Sequence, residues 1–283
     1  MEGRVTDLTH STGSKLMQPQ KSRPQKRMMS SKTVDFAVQW GVIILLGLLW
    51  EFGTRYGAIN PFLLPSLSSV LERLWQGTMD GTIPVDILLT LYRALYGFFV
   101  AAVIGVPVGI LMARSRVVHW LFDPIISVGF PMPKIAFLPI FVLWFDIYDT
   151  SKIIMVAFSC FFPIVSATYA GASGIDKWPV WSARSLGAKE REMLWEVYLP
   201  LASPMILTGL QVALPVAMIT TIVTEMLMGG RGVGGAMIMA GRFADTVGVF
   251  TGIVEVLIFG ISVVKGLEWL RRRLLVWHPE SQK

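Results

Sequence analysis

Of the chain's 283 residues, 53% are hydrophobic and 16% are charged, and its mean hydropathy is positive. That balance is too apolar for an ordinary soluble domain and makes the lipid bilayer the first expected partner. The net charge of +6 would suit nucleic acid, but the placement of the basic residues along the chain points to membrane topology, so no nucleic acid is expected.

Residues 1–33 are rich in Ser, Gln, Lys, Arg and Pro, the composition of a flexible basic cytoplasmic tail. Apolar runs follow near residues 36–54, 88–111, 122–143, 153–171, 205–228 and 247–267. At roughly 17 to 25 residues each they can cross a hydrocarbon core of about 30 Å as helices. The fold class expected is therefore all-α, a polytopic membrane protein with about six transmembrane helices. The first run follows a long basic tail without a small-residue cleavage pattern, and is read as a retained span.

Residues 34–84 are expected to hold that first helix and an outer amphipathic segment. There Ser66 is placed to cap a helix carrying Leu67, Val70, Leu71, Leu74 and Trp75 on one side and Glu72, Arg73 and Gln76 on the other. Asp80-Gly81 supplies a turn. Residues 85–270 form the expected core, with an intracellular loop at 172–204. Its second span sets Gly97, Ala101, Gly105 and Gly109 on one face, and its fifth sets Gly209, Ala213 and Ala217 likewise. Small residues at four-residue spacing let neighbouring helices approach closely in lipid. Pro107 and Pro215 are expected to kink their helices. Residues 271–283 make a second basic cytoplasmic tail.

With six spans, the N-terminal tail, Arg114 and Arg116, the group Lys177, Arg184, Lys189 and Arg191, and the C-terminal Lys265, Arg271, Arg272, Arg273 and Lys283 share one side. Arg55, Arg73, Arg93, Lys152, Arg231 and Arg242 fall on the other, several of them near a span end. Basic excess marks the cytoplasmic face, so both termini are expected inside. Cys160 stands alone in the fourth run, which rules out a disulfide framework within one chain. His10, His119 and His278 lack ligand spacing, and no metal or other cofactor is expected.

Asp176 to Pro204 is a charged, helix-forming island between two apolar runs. Asp176 can cap a helix that tolerates Pro179 in its first turn, and Gly187 can end that helix in a left-handed conformation. Lys189 to Tyr198 reads as a second short helix closed by Pro200. Arg184, Lys189, Glu190, Arg191, Glu192 and Glu196 give a polar outer surface. Trp178, Trp181, Leu186, Leu194 and Val197 are expected to seat the knob.

Ser182-Ala183-Arg184-Ser185-Leu186-Gly187, with Leu199-Pro200 ending thirteen residues beyond the glycine, resembles the cytoplasmic coupling loop of binding-protein-dependent ABC importer permeases. The family's loop begins Glu-Ala-Ala, and Ala183, Gly187, Leu199 and Pro200 match it. Trp181 stands where the family has Glu, and Ser182 where it has the first Ala. Over roughly residues 62–277 the chain is similar to the nitrate, sulfonate and taurine importer branch. The shared segments include Leu63-Leu64-Pro65-Ser66, Pro131-Met132-Pro133-Lys134-Ile135-Ala136, Leu143-Trp144-Phe145, Ser151-Lys152-Ile153, Phe161-Phe162-Pro163-Ile164, Thr224-Glu225-Met226 and the glycine-rich Gly229 to Gly235.

The resemblance implies an inner-membrane permease subunit that moves a small solute, of nitrate, sulfonate or taurine type, into the cytoplasm by alternating access. The family's partners would be cytoplasmic ATPase subunits, an extracytoplasmic solute-binding protein and a second permease, here a homodimer. The ATPase-coupling loop would comprise Ala183, Arg184, Ser185, Leu186, Gly187, Ala188, Glu190, Leu199 and Pro200. No Gly-x-x-x-x-Gly-Lys-Ser/Thr sequence occurs anywhere in the chain, so ATP hydrolysis is expected on another chain and no enzymatic activity on this one.

Lys134, Thr221, Thr224 and Glu225 are the candidate groups for a translocation path, since charge in an apolar run must face a cavity or a partner. Glu255 raises the same question. The competing reading is that such groups pair with each other or with backbone and hold the bundle together. A secondary transporter, with Lys134, Glu225 or Glu255 as ion-coupling charges, remains the alternative function. A membrane enzyme would need clustered nucleophiles, acids or metal ligands, and no such cluster is evident.

Overall fold

The computed structural model describes residues 32–57 and 59–274. Residues 1–31 and 275–283, which hold most of the two expected tails with His10 and His278, lie outside them. The chain divides into two compact units, Met1–Leu46 and Gly47–Lys283.

Every regular element among the described residues is a helix. Helix α1, Lys32–Arg55, covers the first expected span. Next comes α2, Leu67–Met79, whose N-terminus is capped as expected: the Ser66 hydroxyl accepts the Ser69 N–H at 3.3 Å. The turn at Asp80-Gly81 leads into α3, Thr82–Arg114. Asp80 there accepts the backbone N–H of Thr82 and its hydroxyl, and the backbone bond foremost holds the carboxyl below its ordinary range.

The remaining elements are α4, Arg116–Gly129, a 3-10 turn at Lys134–Phe137, α5, Leu138–Phe145, α6, Asp149–Ser173, α7, Lys177–Ser185, α8, Glu190–Glu192, a π-helical stretch at Met193–Tyr198, α9, Leu199–Met228, α10, Val233–Arg242, and α11, Thr246–Leu274. Four runs among the described residues are long and apolar enough to cross a bilayer: Thr82–Arg114, Asp149–Ser173, Glu190–Met228 and Thr246–Trp269.

The expected span near 122–143 is broken. Helix α4 and the segment Lys134–Phe145 meet at a bend of 101°. Pro131 and Pro133 lie at the break: each removes a backbone donor that a continuing helix needs, and Pro133 itself, at φ −70° and ψ 86°, has left the helical region. Lys134 Nζ then donates to the freed carbonyls of Phe130 at 2.8 Å and Met132 at 3.4 Å.

Helix α6 is the axis on which the core is built. Gly97, Ala101, Gly105 and Gly109 of α3 are buried against it, so the small face expected from spacing is a contact face. A Cβ added at Gly97 would lie 2.7 Å from the Ile153 carbonyl oxygen and 2.7 Å from Val156 Cβ. From the other side Gly209 of α9 approaches Ala167, where an added Cβ would sit at 2.6 Å. Ala101, Val156, Cys160, Ile164, Ala213 and Ala217 form one buried cluster across the three helices. In lipid, association depends on this close packing and not on expelling water.

Replacing Gly97 with valine is therefore expected to lower the thermal stability of the detergent-solubilised protein by about 1–3 kcal/mol or more. Gly260→Val, where an added Cβ meets nothing within 4 Å, is the control. Equal stability of the two variants would refute the α3–α6 approach.

Candidate functional site

Two polar regions stand at opposite ends of the core. Helix α3 connects them: its last residue, Arg114, pairs with Glu190 of the island, and at about 1.5 Å per residue Arg93, on the same helix, stands roughly 30 Å away.

In the island, α7 begins after Asp176, an extended residue whose carboxylate makes no capping bond, contrary to the sequence expectation. Pro179 does fall in the first turn. The helix ends at Gly187, with φ 83°. Gly187 N–H donates to the Arg184 carbonyl at 3.0 Å and Ala188 N–H to the Ala183 carbonyl at 3.1 Å. These are the paired bonds of a Schellman closure. No atom lies within 4 Å of an added Cβ at Gly187, so backbone conformation, and not crowding, favours glycine there.

The second island helix does not stop at Pro200. Glu190–Met228 is one continuous run of 39 residues. The π-helical turns at Met193–Tyr198, with Leu199 N–H donating to the Leu194 carbonyl, place Pro200 in the first turn of α9. There its missing donor costs little.

The seating of the knob also differs from expectation. Met193 is 1% exposed, and Leu194 packs on the cluster of Ile110, Ala172, Ala202 and Ile206. Val197 is half-buried. Trp178 and Trp181, one turn apart on α7, instead stack edge-on at 5.7 Å on the exposed side, and Leu186 is 88% exposed. Ala183 and Ala188 are half-buried, whereas Arg184, Ser185, Glu190 and Pro200 are exposed. The Arg114 guanidinium lies 4.9 Å from the centre of the Tyr198 ring. Arg184 approaches Glu190 at 3.8 Å, linking the two halves of the knob.

At the opposite end Glu225 is completely buried. Its carboxylate accepts Arg93 Nη1 at 2.5 Å, the Thr90 hydroxyl at 2.9 Å and the Gly234 N–H at 3.1 Å. Arg93, 4% exposed, also pairs with Asp149 at 2.8 Å and donates to the Arg231 carbonyl at 2.7 Å. Lys152 Nζ donates to the Gly229 carbonyl at 3.1 Å. Helices α3, α6 and α9 are thereby joined to the loop before α10.

The glycine-rich segment makes this closure possible. Gly229, Gly230 and Gly232 have φ of 71°, 91° and 121°, values that favour residues without a Cβ. An added Cβ at Gly232 would fall 2.5 Å from Glu225 Oε1. The N–H groups of Val233 and Gly234 open α10 and point at Thr90 and Glu225, so a helix N-terminus faces the buried carboxylate.

Of the four residues considered for a translocation path, three lie together. Thr221 and Thr224 are fully buried and donate to the carbonyls of Ala217 and Thr221, next to Glu225. Lys134 stands apart, half-buried at the α4 break, 5.2 Å from the centre of the Phe162 ring. Sequence reasoning missed Thr90 and Arg93 as partners of Glu225, and Asp149 and Lys152 as the groups that bind Arg93 and the Gly229 carbonyl beside it. An available signal was that Arg93 and Glu225 both fall in apolar runs, where opposite charges seek one another.

Comparison with known proteins is consistent across the chain. Residues 105–276 match the family model described as binding-protein-dependent transport system inner membrane component. The taurine transport system permease protein of Escherichia coli is 38% identical over 244 residues, 84% of this chain and 88% of that protein. A candidate aliphatic sulfonates transport permease of Bacillus subtilis is 30% identical over 229 residues, 81% of this chain and 83% of that one. Among solved structures, a chain of the MetNI methionine ABC transporter in an inward-facing crystal form shares the fold with a TM-score of 0.59 at 19% identity, over 70% of this chain and 96% of that one.

Arg93→Met strips the cation from a buried carboxylate and is expected to cost about 3–5 kcal/mol of stability. Adding Glu225→Gln should recover part of the loss, because the remaining group is neutral. Thermal unfolding of both variants checks this; strictly additive losses would refute direct coupling between the two side chains.

Proposed function

Since this chain belongs to the binding-protein-dependent transport system inner membrane components, we propose that its island is the element through which a separate ATPase drives solute import. The chain is a multi-pass inner-membrane permease subunit of an ABC importer. In our reading, both termini and the island face the cytoplasm, in line with the excess of basic residues assigned to that side.

The observation that carries the proposal is the build of the island. A rigid turn at Gly187 presents Trp178, Trp181 and Leu186 outward, while Met193 anchors the following helix, which continues without a stop into α9. An exposed aromatic and aliphatic surface ringed by Arg184, Glu190, Arg191 and Glu192 suits a soluble protein partner. Trp181, in the position where the family has Glu, would contribute apolar contact in place of an ion pair.

ATP-driven closure of two ATPase subunits would push on Ala183, Arg184, Ser185, Leu186, Gly187, Ala188 and Glu190, and Leu199 and Pro200 would pass the displacement into α9. A second copy of the permease would form the other half of the path, and an extracytoplasmic binding protein would deliver the solute. Switching a bistable helical bundle between two such states is the physical content of alternating access.

For the path itself, we propose that Lys134 flanks the route, because a broken helix with a cation at the break suits a passing anionic group. Thr221, Thr224 and Glu225, apart from Lys134, would form a fixed wall of the bundle. The similarity to taurine and sulfonate permeases supports a small sulfonate as cargo.

Gly187→Val forces a β-branched residue into φ near 83°, straining the turn by about 1–2 kcal/mol per residue. Uptake by the assembled importer is expected to fall at least ten-fold while ATP hydrolysis continues, uncoupled from solute. Wild-type uptake and solute-stimulated hydrolysis in this variant would overturn the island's role.

A further inference from the structure

At the end opposite the island, a cleft of about 590 Å³ opens between α2, α3, α10 and α11. Its charged lining is Arg73, Asp80, Asp86, Asp245 and Glu255. Three of the four carboxylates are already answered. Asp80 accepts from Thr82, Asp86 accepts the Gly232 N–H at 3.1 Å with Arg231 Nε at 3.8 Å, and Asp245 pairs with Arg73 at 2.9 Å and accepts the Gly248 N–H.

Glu255 is different. It sits on α11, nine residues from the helix start, and is only 7% exposed. Among the described residues no hydrogen bond or ion pair reaches its carboxylate, and the charged group acting on it is the like-charged Asp86. A carboxylate enclosed in a helical bundle needs a cation or a water-filled cavity to face. Here the acid lines a cavity of ligand size, and the cavity carries an excess of negative charge.

Among the described residues no three His, Cys, Asp or Glu side chains converge to cage a metal ion, and the chemistry that such a lining suits is that of an organic cation. We propose that this cleft receives the ammonium group of the transported solute, with Glu255 as its direct partner and Asp86 adding a second negative charge. The cargo is then a zwitterionic amino-sulfonate, and the cleft separates it from a plain alkanesulfonate of the same length. This rests on the importer reading above.

The test compares uptake of taurine, which is 2-aminoethanesulfonate, with uptake of ethanesulfonate by cells carrying the complete importer. Glu255→Gln is expected to lower the ratio of taurine to ethanesulfonate uptake about ten-fold, the scale of one lost charge-assisted contact. An unchanged ratio would overturn the proposal, including the case in which both solutes are lost equally, as they would be if the cleft held a lysine of the binding protein. A second measurement uses the full-length wild-type chain in nanodiscs and needs no variant to fold. Taurine and ethylammonium should raise its melting temperature and ethanesulfonate should not. Absence of a shift with ethylammonium sinks the cleft proposal whatever the uptake result. A shift with ethylammonium alongside a wild-type importer that takes up neither sulfonate supports the ammonium site and rejects the cargo class.

Discussion

Glu225 is sealed from solvent inside an apolar helical bundle, and its charge has to be answered there. Arg93 answers it, Thr90 and the first N–H groups of α10 complete its hydrogen bonding, and Asp149 takes up the remaining face of the arginine. Because these groups come from α3, α6, α9 and the loop before α10, satisfying one carboxylate fixes the relative position of the elements at that end. A buried pair of this kind contributes little net stability compared with an apolar core, but breaking it is costly. It therefore acts as a specifier of arrangement.

The same helices reach the island at their other ends. Close approach between α3, α6 and α9, enforced by Gly97, Gly105, Gly109 and Gly209, leaves little freedom for one helix to move without its neighbours. Arg114 ties α3 to Glu190, and α9 grows directly out of the island through the π-helical turns. A push on the exposed knob would thus reach a packed three-helix unit whose far end is hydrogen-bonded to the glycine-rich loop. Such a unit would move as a body, which is what the proposed alternating access needs.

Much of this was legible in the sequence. Four-residue spacing of small side chains identified the faces of α3 and α9 that meet α6, and Ser66 and Gly187 were correctly read as a helix start and a helix end. The failures share a physical origin. Pro131 and Pro133 could be seen, but their local effect, a 101° break in an apolar run, was hidden by run length. Pro200 reads as a stop under helix rules that assume an α-helical register, and the π-helical turns before it shift that register. Hydrophobicity alone points Trp178 and Trp181 to the seat, and it does not separate an aromatic pair packed on its own bundle from one left exposed. In the sequence Arg93 reads as one more charge for topology. Its pairing with Glu225 spans 132 positions, a separation over which periodicity carries no information.

The most direct measurement places a photo-activatable crosslinking residue at Leu186, the most exposed large apolar side chain of the island, in the importer as assembled in its native membrane. Capture of the ATPase chain from Leu186, and not from the equally exposed Leu143 on α5, is the result expected. Full uptake with no ATPase captured at Leu186 would contradict the island as the point where ATP-driven motion enters the permease.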